Sequence, residues 1–212
     1  MSNIRVMLVD DHAVVRMGFR LLLESTEDIR VAAEAGSGEE ACRTYAEVKP
    51  DVVIMDISMP GIGGLDAVSR ILAKDSAAKI LVLSAHEDTI HPTRVLKAGA
   101  LGYLTKRGAP EELIGAIRQV ARGKTFVEPA IATQMAVQQA TGRQSPVDVL
   151  TAKEFKVFVA LAKGQSVAEI ADIMSLSPST VGTHLYNVKQ KLGASNAAEL
   201  ALIAIRNGLI EA

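Results

Sequence analysis

Hydrophobic positions in the first 125 residues alternate between two periods. Short aliphatic runs recur at Ile4–Val9, Ile29–Ala33, Asp51–Met55, Lys79–Leu83 and Ala100–Leu104. They are apolar on successive residues, the pattern of strands covered on both faces. Between them, segments at about 13–24, 38–48, 65–74, 88–98 and 110–122 carry helical spacing. In the second of these, Ala41, Tyr45 and Val48 form an i, i+4, i+7 stripe. Pro110 stands where a helix begins, and Gly99 and Gly123 where helices end. Five strands alternating with five helices predict a doubly wound α/β fold, one parallel sheet between two helical layers.

After Gly123 the pattern changes. Pro129–Ala140 reads as a helix, and Thr141–Pro146 is polar and rich in structure breakers, which predicts a hinge. From Thr151 onward four short helical segments follow. Thr151 with Glu154 forms one capping box and Ser166 with Glu169 another. Ser177-Pro178 offers an N-cap with proline in the first turn, and Ser195 can cap the last segment. The expected organisation is an α/β domain over 1–125, a linker with a helix over 126–146, and an all-α domain over 147–212.

Ligands of open parallel sheets sit beyond the carboxyl ends of the strands. Those ends carry Asp10 and Asp11, Asp56, Ser84, and Thr105-Lys106. Three carboxylates at one crevice repel unless a cation joins them. Oxygen ligands favour a hard divalent ion, Mg²⁺ being the natural choice. A carboxylate beside such an ion and an ammonium suits phosphoryl transfer, with Ser84 bonding the phosphoryl oxygens. Taken singly, an Asp at a strand end is more often a helix cap, and His12 and His86 read as solvated or packing residues. Gly61-Ile62-Gly63-Gly64 lacks nucleotide-loop spacing. The joint placement at four strand ends outweighs these plainer readings.

Residues 1–125 resemble the receiver domain of two-component response regulators, through MLVDDH, VVIMDISMPGIGG, VLSAHE and GYLTK. The resemblance implies a flavodoxin-like five-stranded sheet of order 2-1-3-4-5. It implies that Asp56 accepts phosphate from a sensor histidine kinase. Asp10, Asp11, Asp56 and the backbone carbonyl of Ser58 would hold Mg²⁺, and Ser84 and Lys106 would contact the phosphoryl group. Tyr103 becomes the switch aromatic whose rotamer follows Ser84, and Pro60 shapes the loop after Asp56. Phosphorylation would then alter the face of the fourth helix, fifth strand and fifth helix, releasing the helical domain or pairing two receivers.

In the helical domain, segments at about 166–174 and 178–192 meet through Ile170, Ala171, Leu176 and Val181. Val181, Leu185, Val188 and Leu192 make one inward stripe on the second. Its other face offers Ser179, Thr180, Gly182, Thr183, Tyr186, Asn187, Lys189 and Gln190, groups of the kind that read base edges and phosphates. Spacing alone equally fits a plain helical hairpin. The stretch from Leu150 to Ile210, however, is similar throughout to the LuxR-type helix-turn-helix domain, which with the receiver makes the NarL/FixJ class. DISMPGIGG and IATQMA look closest to its GacA/UvrY branch. The resemblance implies that 178–192 enters the major groove of double-stranded DNA and that 196–207 mediates a homodimer. Leu200, Leu202, Ile203 and Ala204 would supply the dimer face, or else plain core. Gly182 and Tyr186 depart from the Lys or Arg many members carry, so base preference does not transfer.

Composition narrows the alternatives. Cys42 is the single cysteine and makes no internal disulfide; with no signal-peptide pattern or membrane span, a soluble cytoplasmic protein is expected. Aromatics at 3% count against a stacking single-strand binder. Net charge is −1, and residues 147–212 carry six acidic and six basic side chains. Yet no acid lies between Asp172 and Glu199, an acid-free stretch centred on the recognition segment. Phosphate contacts must therefore come largely from hydroxyls, backbone N–H groups and helix N-termini, with a shallow salt dependence. Two rivals remain: an aspartyl-phosphate phosphatase, against which no DxD stands on the first strand, and a protein-binding helical domain. The expected function is a phosphorylation-controlled transcription factor, not an enzyme beyond its own phosphotransfer and dephosphorylation.

Overall fold

The computed structural model describes residues 3–85, 90–140 and 145–210. The chain divides into two compact units between Ala136 and Val137. The first holds strands β1 (Ile4–Val9), β2 (Ile29–Ala35), β3 (Val52–Asp56), β4 (Ile80–Ser84), β5 (Gly102–Thr105) and β6 (Phe126–Val127). Helices α1 (Ala13–Glu24), α2 (Gly38–Val48), α3 (Gly63–Lys74), α4 (Ile90–Lys97) and α5 (Pro110–Ala121) connect the first five, and α6 (Pro129–Ala140) follows β6. The start of the helix expected over 88–98, His86, and Thr141–Gln144 of the expected hinge lie outside the described residues.

All pairings are parallel, in the order β2-β1-β3-β4-β5-β6. Alternate strand residues point to opposite faces, so each strand feeds two cores. Met7, Val9, Val53, Met55, Val82 and Tyr103 pack with Ala41, Tyr45, Val68, Ile71 and Val95 of α2, α3 and α4. Val6, Leu8, Ile54, Leu81 and Leu83 pack with Leu23 of α1 and Leu113, Ile117 and Val120 of α5. This double cover explains the uninterrupted apolar runs.

The sheet has six strands where five were expected. Phe126 and Val127 pair with Gly102 and Tyr103 along the edge of β5. Two residues are too few to carry a period, and the strand exists because that edge presents unpaired backbone groups. Ile131 of α6 is buried in the same core as Tyr103, with Val127 and Met135 packed against it. Residues 126–136, expected in the linker, therefore belong to the α/β unit.

The second unit holds a short 3₁₀ turn (Pro146–Val149) and helices α7 (Ala152–Ala162), α8 (Val167–Met174), α9 (Pro178–Leu192) and α10 (Ala197–Arg206). Both expected capping boxes form, and the Ser177 hydroxyl accepts from Thr180 N. The last cap is Asn196, one residue beyond Ser195, whose backbone N–H donates instead to Glu199. Val157, Ile170, Ala171 and Val181 form the core, flanked by Leu176 and Leu185. Among the described residues no helix is long and apolar enough to cross a membrane.

Candidate functional site

Parallel register brings the strand ends of the first unit level. Val9 pairs with Met55, Asp56 with Leu83, and Ser84 with Thr105, so Asp10, Asp56, Ser84 and Lys106 open on one crevice. Lys106 is anchored by its own N–H to the Ser84 carbonyl at 2.8 Å. Its Nζ reaches Asp10 Oδ2 at 2.6 Å and Asp56 Oδ2 at 2.8 Å. Burial opposes the Lys106 charge, but the hydrogen bonds and charges of the two carboxylates outweigh it and raise its pKa. Asp56 is 2% exposed, and its Oδ1 accepts the Ser58 N–H at 3.0 Å. A carboxylate held this way keeps one geometry.

Asp10, Asp11, His12 and Asp56 each offer a ligating atom, all within 4.8 Å of one another. Asp11 Oδ1 is buried and accepts no hydrogen bond, although His12 Nδ1 stands 3.0 Å away. An orphaned carboxylate oxygen beside two further carboxylates is the environment that a divalent cation satisfies. The donor set fits a hard ion.

Three further contacts support this pocket, only one of them at a residue of the Asp56 motif. Arg16 donates to the Asp10 carbonyl at 2.6 Å and to Glu34 of β2 at 3.2 Å, clamping the turn after β1. Glu128 accepts the Thr105 N–H at 2.8 Å, fixing the end of β5 from beyond β6. At Gly64 a Cβ would lie 2.0 Å from the Asp56 carbonyl oxygen and 2.6 Å from Ile57 Cα. Only glycine lets α3 start so close beneath the loop of Asp56. These contacts join residues far apart in sequence or depend on backbone approach, so spacing could not reveal them. Ser84 and Tyr103 are both fully buried, and Tyr103 already lies inward in the core beside α4.

In the second unit, α9 turns Val181 and Val188 inward. Ser179, Thr183, Tyr186 and Gln190 are exposed, and Thr180, Gly182, Asn187 and Lys189 are half-buried. Tyr186, 63% exposed, stands out among apolar-bodied side chains. Lys191 does not serve the outward face, because its Nζ pairs with Glu154 of α7 at 2.7 Å. Burial would raise the Glu154 pKa, but Lys191 and the Thr151 cap bonds more than offset it and hold the carboxyl below its ordinary value. On α10, Leu200 and Ala204 are fully buried within this unit, so they build its core and offer a partner no surface. That side of α10 packs against α7, whose other side meets α8 and α9. Ile203 is half-buried and Leu202 is 52% exposed.

Residues 6–118 match the response regulator receiver domain, and residues 148–204 match the luxR family of bacterial regulatory proteins. The chain belongs to the LuxR-type response regulators. It is 40% identical to response regulator GacA of Pseudomonas aeruginosa over 99% of each chain. It is 43% identical to response regulator UvrY of Escherichia coli, covering 99% of this chain and 97% of that one. Among solved structures, RcsB of Salmonella enterica serovar Typhimurium, bound to promoter rprA in the presence of BeF3-, superposes with a TM-score of 0.70. That likeness covers 95% of this chain and 98% of RcsB at 26% identity. The regulator is thus a receiver joined to a LuxR-type DNA-binding domain, a transcription regulator of the GacA/UvrY branch and not an enzyme of the ordinary kind.

Proposed function

We propose that Asp56 accepts a phosphoryl group from a sensor histidine kinase and that this controls dimerisation and sequence-specific binding to double-stranded DNA. The observation that carries the reading is Lys106, held between Asp10 and Asp56 beside the orphaned oxygen of Asp11. Asp56 attacks phosphorus as the bond from phosphorus to the kinase histidine breaks, and Lys106 neutralises the transferred oxygens. Mg²⁺, when bound by Asp10, Asp11, Asp56 and the Ser58 carbonyl, supplies further neutralisation of that charge. Water attacking the acyl phosphate restores Asp56, the one reaction the regulator performs on itself. Ser84 bonds the phosphoryl oxygens, and Tyr103 repacks within the core it shares with Val95 and Ile131.

Ser179, Thr180, Gly182, Thr183, Tyr186, Asn187, Lys189 and Gln190 face the major groove, and a two-fold dimer through Ile203 and Leu202 compensates for the scarcity of cations. The regulator acts in the cytoplasm, where kinase and chromosome are both accessible. Genome-wide binding maps of native protein and Asp56→Asn test this. Site occupancy that rises with a phosphodonor only in the native protein is expected. Equal occupancy of both refutes the switch.

A further inference from the structure

We infer that His12 is a nitrogen ligand of the divalent-cation site and tilts that site toward ions of the first transition row. The inference rests on the reading of Asp10 and Asp11 as cation ligands and adds a residue to them. His12 Nδ1 is 3.0 Å from Asp11 Oδ1 and 3.3 Å from Asp10 Oδ1. Atoms about 2.1 Å from an octahedral ion stand about 3.0 Å apart along an edge of its shell. The imidazole therefore already lies at the spacing of a neighbouring ligand.

His12 Nδ1 hydrogen-bonds Asp10 Oδ1 at 3.3 Å, yet its shorter contact, to Asp11 Oδ1 at 3.0 Å, is not a hydrogen bond, so those two groups are close but not aligned. A metal ion needs no such alignment, since it sits off the line that joins two of its ligands. His12 is otherwise unoccupied by helix duties: it is the N-cap of α1, yet its side chain makes no cap bond. Its backbone N–H donates to Asp10 Oδ1 at 2.8 Å, which keeps the residue beside the carboxylates. The ring is 65% exposed, leaving room for water to complete the shell. Imidazole contributes little to Mg²⁺, which prefers oxygen, and much to Co²⁺, Ni²⁺ or Zn²⁺.

The test uses the full chain with Mn²⁺, Co²⁺ and Mg²⁺ as probes. Pulsed electron paramagnetic resonance of bound Mn²⁺ should show a coupled ¹⁴N nucleus that disappears in His12→Ala. Calorimetric titration should show Co²⁺ affinity falling about ten-fold or more in His12→Ala, and Mg²⁺ affinity falling less than about three-fold. No nitrogen coupling in the native protein, coupling that persists in His12→Ala, or an unchanged ratio of Co²⁺ to Mg²⁺ affinity overturns the inference. Asp11→Asn separates it from the underlying reading. If that variant binds Mg²⁺ as the native protein does, the carboxylate site itself is wrong. If Mg²⁺ binding is lost but native Mn²⁺ shows no nitrogen, only His12 is.

Discussion

Gly64→Ala adds one methyl group where the structure leaves none to spare. An ideal Cβ there lies 2.0 Å from the Asp56 carbonyl oxygen and 2.6 Å from Ile57 Cα, both backbone atoms that no rotamer change can move aside. Restoring contact distance requires α3 and the loop after β3 to separate by roughly 1 Å or more, a strain of the overpacking kind costing about 3 kcal/mol. For a unit of this size that lowers the melting temperature by roughly 8–15 °C. The same displacement misplaces Asp56, so phosphorylation by acetyl phosphate should slow by about ten- to hundred-fold. Gly115→Ala is the control, because its Cβ meets nothing within 4 Å inside α5. There the change should stabilise by about 0.5–1 kcal/mol through helix propensity. Calorimetry of both variants checks the stabilities, and incorporation of phosphate checks the site. The reasoning fails if Gly64→Ala melts and phosphorylates like the native chain, or if Gly115→Ala loses as much stability.

Acid should reveal the ion pair of the buried Glu154 in the helical unit. The Glu154 pKa is lowered on folding, so its contribution is present above the unfolded value of 4.5 and disappears as pH falls through the lower folded value. Thermal melts by circular dichroism between pH 3 and 6 should show that loss, and Glu154→Gln should be less stable than native at neutral pH yet flatter across this window. Lys189→Ala should lower the log–log salt slope of DNA binding by about one per monomer, whereas Lys191→Ala should change it less and cost about 1–3 kcal/mol of stability. A native slope implying six or more released counterions per monomer would contradict the cation-poor interface. Arg16→Met should weaken Mg²⁺ binding several-fold in calorimetric titration while leaving DNA binding by the unphosphorylated protein unchanged, because Arg16 clamps the Asp10 carbonyl in the α/β unit.

The two-domain order, the carboxylate set and the outward face of α9 were legible because each is written in a local period or a motif at a strand end. Asp10, Asp56 and Lys106 are separated by about half a chain, yet the parallel sheet puts every strand end on one side, so their meeting followed from topology. Tertiary structure alone decided the rest. β6 exists only because β5 offers an edge, and α6 joins the first unit only because Ile131 finds the Tyr103 core. Leu200 and Ala204 have the same apolar spacing whether they meet α7 or a second chain, and burial settled that they face inward. Lys191 lies in the acid-free stretch of the sequence, and only the fold shows that its Nζ is taken by Glu154. Periodicity records how a segment divides its faces, but which surface meets each face is set by distant residues that no local window contains.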